Sequence, residues 1–377
     1  MEAYAAELTK RTGIPVTSAD LKKVLGAMLA AKEFWHITHL SDRPFNVVAE
    51  SLKFFAERGW VKVEDQHLEL TPAGRELVDE QGIRPPIDSG CKACNRRGIS
   101  VERWQDLLNR FKEAVAERPL PIIDYDQGFV TEETTVARIA LMADRGDIQG
   151  KDLLVLGDDD LVSLAAGFSG LPRRVVVLEV DERLVNFIRQ VAEKESLPVE
   201  AHIFDLVHPL PAELRRQFDT FFTDPPETLE ALATFIGRGL SGLKGAGCAG
   251  YFGLTRAESS LTKWRAFQAQ LTGRFNVVIT DIVHDFNEYV NWDYLLDSVR
   301  DDLSFVQTWP RYNWYHSAIF RIETVDDNFF RHEEEMKGAP LYEDQEALVF
   351  TRRFRKEQSY RHPLPGPSGK RVRVKTQ

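Results

Sequence analysis

Between residues 122 and 323, short continuous runs of apolar residues alternate with segments in which apolar residues recur every three or four positions. The runs are typical of strands buried on both faces, and the second pattern is typical of amphipathic helices. The alternation predicts an α/β fold in which helices cover both faces of a mostly parallel, seven-stranded sheet, as in Rossmann-like transferases. The predicted strands are 152–156, 175–180, 202–204, 220–223, 249–254, 277–282 and 318–322.

A different pattern precedes this region. Ser18 is expected to cap a helix with one apolar face, and residues 60–63 and 67–70 alternate apolar and polar side chains like the two strands of a hairpin. Helices closed by a hairpin predict a small winged-helix domain. The predicted divisions of the chain are this domain at 1–85, a linker with a helix at 86–120, the Rossmann-like domain at 121–325, and a carboxyl-terminal extension with a basic, mobile end at 326–377.

The length of 377 residues exceeds what one hydrophobic core usually supports, which agrees with two domains. No apolar run approaches the roughly 18 residues that span a bilayer, and the first residues do not form a signal peptide, so a cytoplasmic protein is predicted. Cys91 and Cys94 form half of a zinc-ribbon pattern. Because no second pair completes it, reduced thiols are favoured and no metal is predicted. A zinc ion shared with a partner chain or with distant ligands is the alternative.

The net charge of −10 hides an asymmetry. Residues 352–377 hold nine lysines and arginines against one acid, so the rest of the chain carries about −18, which is −10 minus +8. Residues 1–85 contain eleven basic and thirteen acidic side chains. Nucleic-acid binding requires a basic face that releases counterions. The charge therefore disfavours a nucleic-acid partner, and it favours dimerisation or a lid role for the amino-terminal helices. A homodimer is expected.

Acidic residues follow four of the predicted strands. Gly157 and three aspartates, Asp158 to Asp160, end the first strand, where a nucleotide-binding fold normally has a glycine-rich turn. Ligands of such sheets bind at the carboxyl ends of the strands, and carboxylates there repel phosphates and attract ammonium or sulfonium groups. The pattern predicts a cationic ligand. The other three strand ends carry Glu179 with Asp181, Asp205, and Asp224.

The spacing of these acids indicates a nucleoside site. Glu179 lies 22 residues after Gly157, where a carboxylate in such sheets accepts hydrogen bonds from ribose hydroxyls. Asp205 falls where a carboxylate can accept a hydrogen bond from the adenine amino group. A dinucleotide-dependent dehydrogenase is disfavoured, because the Gly-x-Gly-x-x-Gly motif is absent and three carboxylates would face the pyrophosphate.

Two motifs resemble those of the branched-chain polyamine synthases, the N(4)-bis(aminopropyl)spermidine synthase family. They are Gly-Asp-Asp-Asp at 157–160 and Asp-Pro-Pro-Glu-Thr at 224–228, and the stretches 124–131 and 281–288 support them. The resemblance covers nearly the whole chain. It implies transfer of aminopropyl groups from decarboxylated S-adenosylmethionine, a co-substrate rather than a cofactor, to the secondary amine of spermidine. It also implies a thermophilic source.

The reaction that the resemblance implies requires an unprotonated amine, whereas a free alkyl ammonium has a pKa of roughly 10. Asp159 is the first candidate for the proton acceptor, and Asp224 is expected to hold or deprotonate the acceptor amine. Aromatic neighbours Tyr289, Trp292, Trp314 and Tyr315 are candidates for cation–π contacts or for the core. The residues predicted to bind the donor are Gln127, Gly157, Asp158, Glu179, Asp181 and Asp205, and those predicted to bind the polyamine are Asp160, Glu227, Asp285 and Glu288.

Two alternative functions and one question about the position of three residues stay open from the sequence. The Asp-Pro-Pro motif also occurs in amino methyltransferases, so an S-adenosylmethionine-dependent methyltransferase acting on nucleic acid is the second candidate. A transcriptional regulator that senses polyamines on a degenerate transferase fold is the third. At a finer level, Asp285 and Glu288, together with His284, belong either to the polyamine channel or to a solvated loop after the sixth strand.

Overall fold

The structure is a computed structural model. It describes residues 1–64, 67–122, 125–291, 303, 305–306, 309–336, 341–342 and 344–346. The basic stretch 352–377, Asp124 and Trp292 lie outside the described residues. In the described part of the chain, no helix is long and apolar enough to cross a bilayer.

The helices are α1 (Glu2–Thr12), α2 (Ser18–Ala30), α3 (Phe34–Ser41), α4 (Phe45–Glu57), α5 (Pro72–Glu80), α6 (Gln105–Ala114), α7 (Glu132–Asp144), α8 (Val162–Ser169), α9 (Glu182–Glu195), α10 (Leu229–Gly242) and α11 (Leu261–Ala269). The strands are β1 (Val61–Glu64), β2 (His67–Leu70), β3 (Asp152–Leu156), β4 (Arg174–Glu179), β5 (Val199–Ile203), β6 (Thr220–Thr223), β7 (Ala249–Thr255), β8 (Val278–Glu288) and β9 (His316–Glu323).

The amino-terminal helices pack with the antiparallel β1–β2 hairpin around their own apolar cluster. This cluster also includes Trp314, whose ring centroid lies 4.9 Å from that of Trp35 in α3, so the helices dock onto the segment before β9. The predicted cap of α2 is one residue off. Thr17, not Ser18, is the N-cap, because its hydroxyl accepts from the backbone N–H of Asp20 and the Asp20 carboxylate accepts from that of Thr17. The winged-helix assignment and the domain boundaries stay predictions.

The seven-stranded sheet confirms the predicted fold class. Its strand order is β5-β4-β3-β6-β7-β9-β8, and every neighbouring pair is parallel except the two that involve β9. β3 and β6 coincide with the predicted strands. β5 begins at residue 199 rather than 202, because it is an edge strand in which only Ala201 is buried and no apolar run marks it.

The largest difference from the predicted strands concerns β8. It extends to Glu288, and two irregularities of register interrupt its pairing with β9, between Ile279 and Asp281 and between Val283 and Asn287. Asp285 lies at the second irregularity with a φ of +52°. Such bulges break the alternation of apolar and polar residues, so the sequence pattern ended the strand too early. His284, Asp285 and Glu288 therefore belong to the strand and not to a loop after it.

The strand order fixes where a ligand can bind. From β3 the chain proceeds to β4 and β5 on one side, whereas β6 and β7 lie on the other. Helices therefore leave β3 and its neighbour β6 in opposite directions, which opens a crevice at the carboxyl ends of these strands. The acidic residues that follow β3, β4 and β6 all face this crevice or support its wall.

Candidate active site

A cavity occupies this crevice. It encloses about 1460 Å³ of empty space, part of which is open to solvent. Among the described residues that line it there are seven carboxylic acids and seven aromatic side chains but no lysine or arginine. The acids are Asp126, Asp159, Glu179, Asp205, Asp224, Glu227 and Glu258, and the aromatic residues are Tyr125, Phe204, Phe235, Tyr289, Trp314, Tyr315 and Tyr342. Such a wall suits a ligand that is both apolar and strongly cationic.

Backbone N–H groups fix Glu179 at one end of the cavity. One oxygen of its carboxylate accepts from the N–H of Asp158 at 2.7 Å, and the other accepts from the N–H of Asp181 at 2.8 Å. Burial raises the pKa of Glu179. Gly157 lies beside it with a φ of +69°, a conformation that favours glycine, and its own N–H donates to the carbonyl of Leu178. Glu179 and Gly157 both line the cavity, and both are residues that the sequence predicts to bind the donor.

Two other predicted donor residues support this wall without lining it. Asp158 is buried beneath the start of α8, where it accepts from the N–H and hydroxyl of Ser163. Burial, reinforced by Glu179, raises the pKa of Asp158 to about 8. Asp181 caps α9 and accepts from the side-chain amide of Gln127 at 3.1 Å. Neither aspartate lines the cavity, since one holds α8 and the other orients Gln127, which does line it. Their direct contact with the donor stays a prediction.

Asp205, the last predicted donor residue, also lines the cavity. Its side chain is exposed, and one carboxylate oxygen accepts from the N–H of Val207 at 3.0 Å. It follows β5, the strand next to the one that carries Glu179. Glu179 and Asp205 therefore lie at the ends of neighbouring strands on one side of the cavity.

Asp159 reaches the cavity from the middle of the three consecutive aspartates. Its side chain is half-buried, and one carboxylate oxygen accepts from the N–H of Gly128 at 3.0 Å. Burial raises the pKa of Asp159 well above its usual range, and the nearby carboxylates of Asp160 and Glu179 raise it further. A carboxylate in this state takes up a proton more readily than an exposed one.

Asp160 does not line the cavity. It is buried, its carboxylate accepts from the N–H of Val130 at 2.7 Å, and it forms an ion pair with Arg138 of α7. The polyamine contact of Asp160 stays a prediction, and in this structure its carboxylate is engaged by Arg138. Arg138 was not among the predicted site residues, although it is the one charged residue in the run 134–143.

Asp224 lies at the centre of the cavity wall. One of its oxygens accepts from Arg138 at 2.6 Å and from the Tyr289 hydroxyl at 2.7 Å. Burial raises the pKa of Asp224 to about 6, although Arg138 opposes this shift. The carboxyl group also packs against the backbone of Gly253 in β7, where a methyl group would overlap it. Asp224 is thus held in one orientation from three sides.

A pair of glutamates forms the other acidic part of the cavity. A hydrogen bond joins the carboxyl groups of Glu227 and Glu258, and the Tyr315 hydroxyl donates to Glu258 at 2.8 Å. Burial raises the pKa of both glutamates. Two carboxyl groups bond to each other only through a shared proton, which a cationic ligand can replace. Glu258 was not among the predicted site residues, although it follows β7 as the other acids follow their strands.

Asp285 and Glu288 lie outside this cavity. Asp285 forms an ion pair with His284, whose other ring nitrogen lies 3.1 Å from Asp42 at the end of α3. The two aspartates raise the pKa of His284 to about 10. Glu288 pairs with the buried Arg97 of the linker. These side chains join β8 to the amino-terminal helices and the linker, and their contact with the polyamine stays a prediction.

The three cysteines, Cys91, Cys94 and Cys248, are free thiols. Within the described residues, no three histidine, cysteine, aspartate or glutamate side chains form a group that could hold a metal ion.

Tyr289, Trp314 and Tyr315 line the cavity, and the two tyrosines use their hydroxyls to orient carboxylates.

Comparison with known proteins identifies relatives over most of the chain. Residues 106–349 match the family model described as the branched-chain polyamine synthase A C-terminal domain. The N(4)-bis(aminopropyl)spermidine synthase of Methanocaldococcus jannaschii is 48% identical over 92% of this chain and 99% of the relative. The synthase of the same name from Thermococcus kodakarensis is 45% identical over the same shares.

A solved structure shares the fold. It is the branched-chain polyamine synthase from Thermus thermophilus in complex with N4-aminopropylspermidine and 5'-methylthioadenosine. The two proteins are 40% identical, and the alignment has a TM-score of 0.83 and covers 91% of this chain and 96% of the Thermus chain.

Proposed function

The chain belongs to the branched-chain polyamine synthase family, and we propose that it transfers aminopropyl groups from decarboxylated S-adenosylmethionine to the secondary amine of spermidine. The first transfer gives N4-aminopropylspermidine, and the second gives N4-bis(aminopropyl)spermidine. Each transfer forms a carbon–nitrogen bond, breaks the carbon–sulfur bond of the sulfonium, and releases methylthioadenosine with the electron pair of that bond.

The charge of the cavity carries this proposal. Seven acids line the cavity, and the described residues that line it include no lysine or arginine. This negative charge suits a sulfonium donor and a polyamine acceptor, which are both cationic. The decarboxylated donor lacks the carboxylate that this wall would repel, so the same charge disfavours ordinary S-adenosylmethionine. It also disfavours the alternative methyltransferase, because a nucleic-acid substrate would bring phosphates toward the carboxylates.

The nucleoside part of the donor fits the end of the cavity formed by β3, β4 and β5. Glu179 is the candidate for the ribose hydroxyls, and Asp205, after the next strand, is the candidate for the adenine amino group. Gln127 is held against the same wall by Asp181. Phe204 and Phe235 supply apolar surface for the adenine ring.

The reacting nitrogen must be unprotonated, since only its lone pair can displace the thioether. Asp159 is the candidate proton acceptor, because it faces the cavity and its raised pKa brings it closer to that of the amine. Asp224 holds the same nitrogen before reaction and stabilises the new cation after it. In the second transfer the tertiary ammonium loses its proton in the same way, and the product nitrogen is then permanently charged.

The Glu227–Glu258 pair is the candidate anchor for a terminal ammonium of the acceptor. We expect Glu258→Gln and Glu227→Gln each to raise KM for spermidine by about tenfold, because each change removes one carboxylate from a charge-assisted contact. The dissociation constant of methylthioadenosine should stay within about twofold. Steady-state kinetics and calorimetry measure the two quantities. Equal weakening of both ligands would contradict separate subsites.

The function itself is tested by product masses. The enzyme is incubated with spermidine and either decarboxylated or ordinary S-adenosylmethionine, and the products are read by mass spectrometry. We expect one and then two added aminopropyl groups with the decarboxylated donor and no modification with the ordinary one. Added methyl groups would support the methyltransferase, and the absence of turnover with both donors would support a sensor.

We also propose that the enzyme works in the cytoplasm as a homodimer. Free thiols and a metabolite donor agree with a reducing compartment. Light scattering of the full chain measures the oligomeric state.

A further inference from the structure

We propose that Arg138 is a positioning residue that holds Asp224 ionised and oriented toward the acceptor amine, with Asp160 as the fixed counter-ion of the arginine. The inference rests on the proposed function and deepens it. It assigns the last aspartate of the Gly-Asp-Asp-Asp motif to the support of the Asp-Pro-Pro motif instead of to a ligand. The two motifs then act through one buried cation.

The position of Arg138 is unusual for a charged residue. It lies in the middle of α7 and its side chain is fully buried. A buried guanidinium is costly unless its donors are satisfied. Here the Nε atom donates to the side-chain oxygen of Asn287 at 2.9 Å, one terminal nitrogen pairs with Asp160, and the other donates to Asp224 at 2.6 Å. All three nitrogens therefore have partners.

Each of these partners comes from a different part of the sheet. Asn287 lies in β8, Asp160 follows β3, and Asp224 follows β6. The planar guanidinium presents its donors in a fixed fork, so it fixes the relative positions of the acids that it joins. A lysine in its place carries the charge but lacks this fork. Val130 completes the arrangement by donating its N–H to the second oxygen of Asp160.

The charges explain why a cation is needed there. The groups that face Asp224 are Arg138 from α7, Asp159 and Asp160 from the segment after β3, Tyr289 after β8, and Glu227 from its own segment. Arg138 is the cation in this set. Its positive charge offsets the negative charge of one of the two aspartates that it contacts. The three side chains together therefore present one net negative charge to the incoming ammonium.

Without Arg138, burial and the neighbouring Asp160 would raise the pKa of Asp224 with no cation to oppose them. Burial already raises the pKa of Asp224 to about 6, and Asp160 raises it further, whereas Arg138 lowers it. Loss of an opposite charge at this distance raises a carboxyl pKa by about 1 to 3 units. Asp224 would then be protonated in a larger fraction of the molecules at neutral pH. Spermidine binding would weaken as the pH falls through this higher pKa.

The test compares Arg138→Gln and Arg138→Lys with the wild type and a matched control. The control is Arg321→Gln, since Arg321 is also buried and pairs with Asp147, yet none of its partners lines the cavity. The dissociation constant of spermidine is measured by calorimetry from pH 5 to 9 on the enzyme saturated with methylthioadenosine. Transfer rates and thermal melting are measured on the same variants.

We expect the pH at which spermidine binding weakens to rise by about 1 to 3 units in Arg138→Gln and to stay unchanged in Arg321→Gln. Arg138→Lys should keep the wild-type pH dependence but transfer more slowly, because it keeps the charge and loses the fork. Wild-type pH dependence in Arg138→Gln would overturn the proposal, as would a wild-type rate in Arg138→Lys. If Arg138→Gln does not fold, the lysine variant decides.

These measurements separate the inference from the proposed function. Absence of transfer by the wild type would refute the function, whereas the pH dependence of polyamine binding would still report on Arg138. Normal transfer by the wild type together with unshifted binding in Arg138→Gln would refute only the inference.

Discussion

Asp159→Asn should lower the rate of aminopropyl transfer by a factor of roughly 10² to 10⁴ while leaving the fold and donor binding intact. The acceptor nitrogen has a pKa of roughly 10, so nearly every molecule arrives protonated at neutral pH. Asp159 faces the cavity, and burial with the neighbouring acids raises its pKa toward that of the amine. An asparagine cannot take up the proton.

The substitution is nearly isosteric, which makes the effect specific. The side-chain oxygen of asparagine can still accept from the N–H of Gly128, the bond that now fixes the aspartate. Asp281→Asn is the control, since this change removes the ion pair between Asp281 in β8 and Arg145 at the end of α7, and Asp281 does not line the cavity. Single-turnover rates, methylthioadenosine binding and thermal melting are compared among the three proteins.

The pH dependence gives a second readout. In the wild type the rate should rise as the pH passes the raised pKa of Asp159, because only the ionised carboxylate can take up the proton of the amine. It should rise again at higher pH as the amine itself loses its proton. The asparagine variant should keep only the part of this rise that the free amine causes. A wild-type rate in Asp159→Asn would move the proton acceptor elsewhere, and Asp224, with a pKa raised to about 6, would be the next candidate.

The sheet was predictable because its strands are locally encoded. β3, β4 and β7 are apolar runs that are buried throughout or nearly so, and such runs need no knowledge of distant residues. The same holds for the acidic strand ends, since the carboxyl ends of parallel strands meet at one edge. Glu258 obeys this rule and could have been found by it. The bounds of the edge strands β5 and β8 were predicted less accurately, because one side of each strand lacks a pairing partner.

The roles of the three consecutive aspartates could not be read from their spacing. Neighbouring side chains in such a turn point in different directions, and their partners decide which one meets a ligand. Asp158 turns to Ser163 and Asp160 turns to Arg138, which lies 22 residues away in the chain. Only Asp159 is left to face the cavity. A buried arginine supplied by another element carries no periodicity that a sequence pattern could detect.

Gly253→Ala should lower kcat/KM for spermidine by about 10² or more, although no side chain of the cavity is changed. Gly253 pairs with Ile319 in the β7–β9 ladder, and Asp224 packs against its α-carbon. A methyl group there would overlap a carboxylate oxygen of Asp224. Because Arg138 and Tyr289 hold the other oxygen, the carboxylate cannot turn away without breaking those bonds. A displacement of about 1 Å can cost 10²-fold in rate.

Gly273→Ala is the matched control for this prediction. No atom lies within 4 Å of the methyl group that it would add, and its backbone does not need glycine. Its kcat/KM should therefore equal that of the wild type. Thermal melting of both variants separates a local displacement from unfolding, and binding of methylthioadenosine should change in neither, because Glu179 lies on another strand. If Gly253→Ala transfers at the wild-type rate, Asp224 is free to move and its fixed orientation does not matter for transfer.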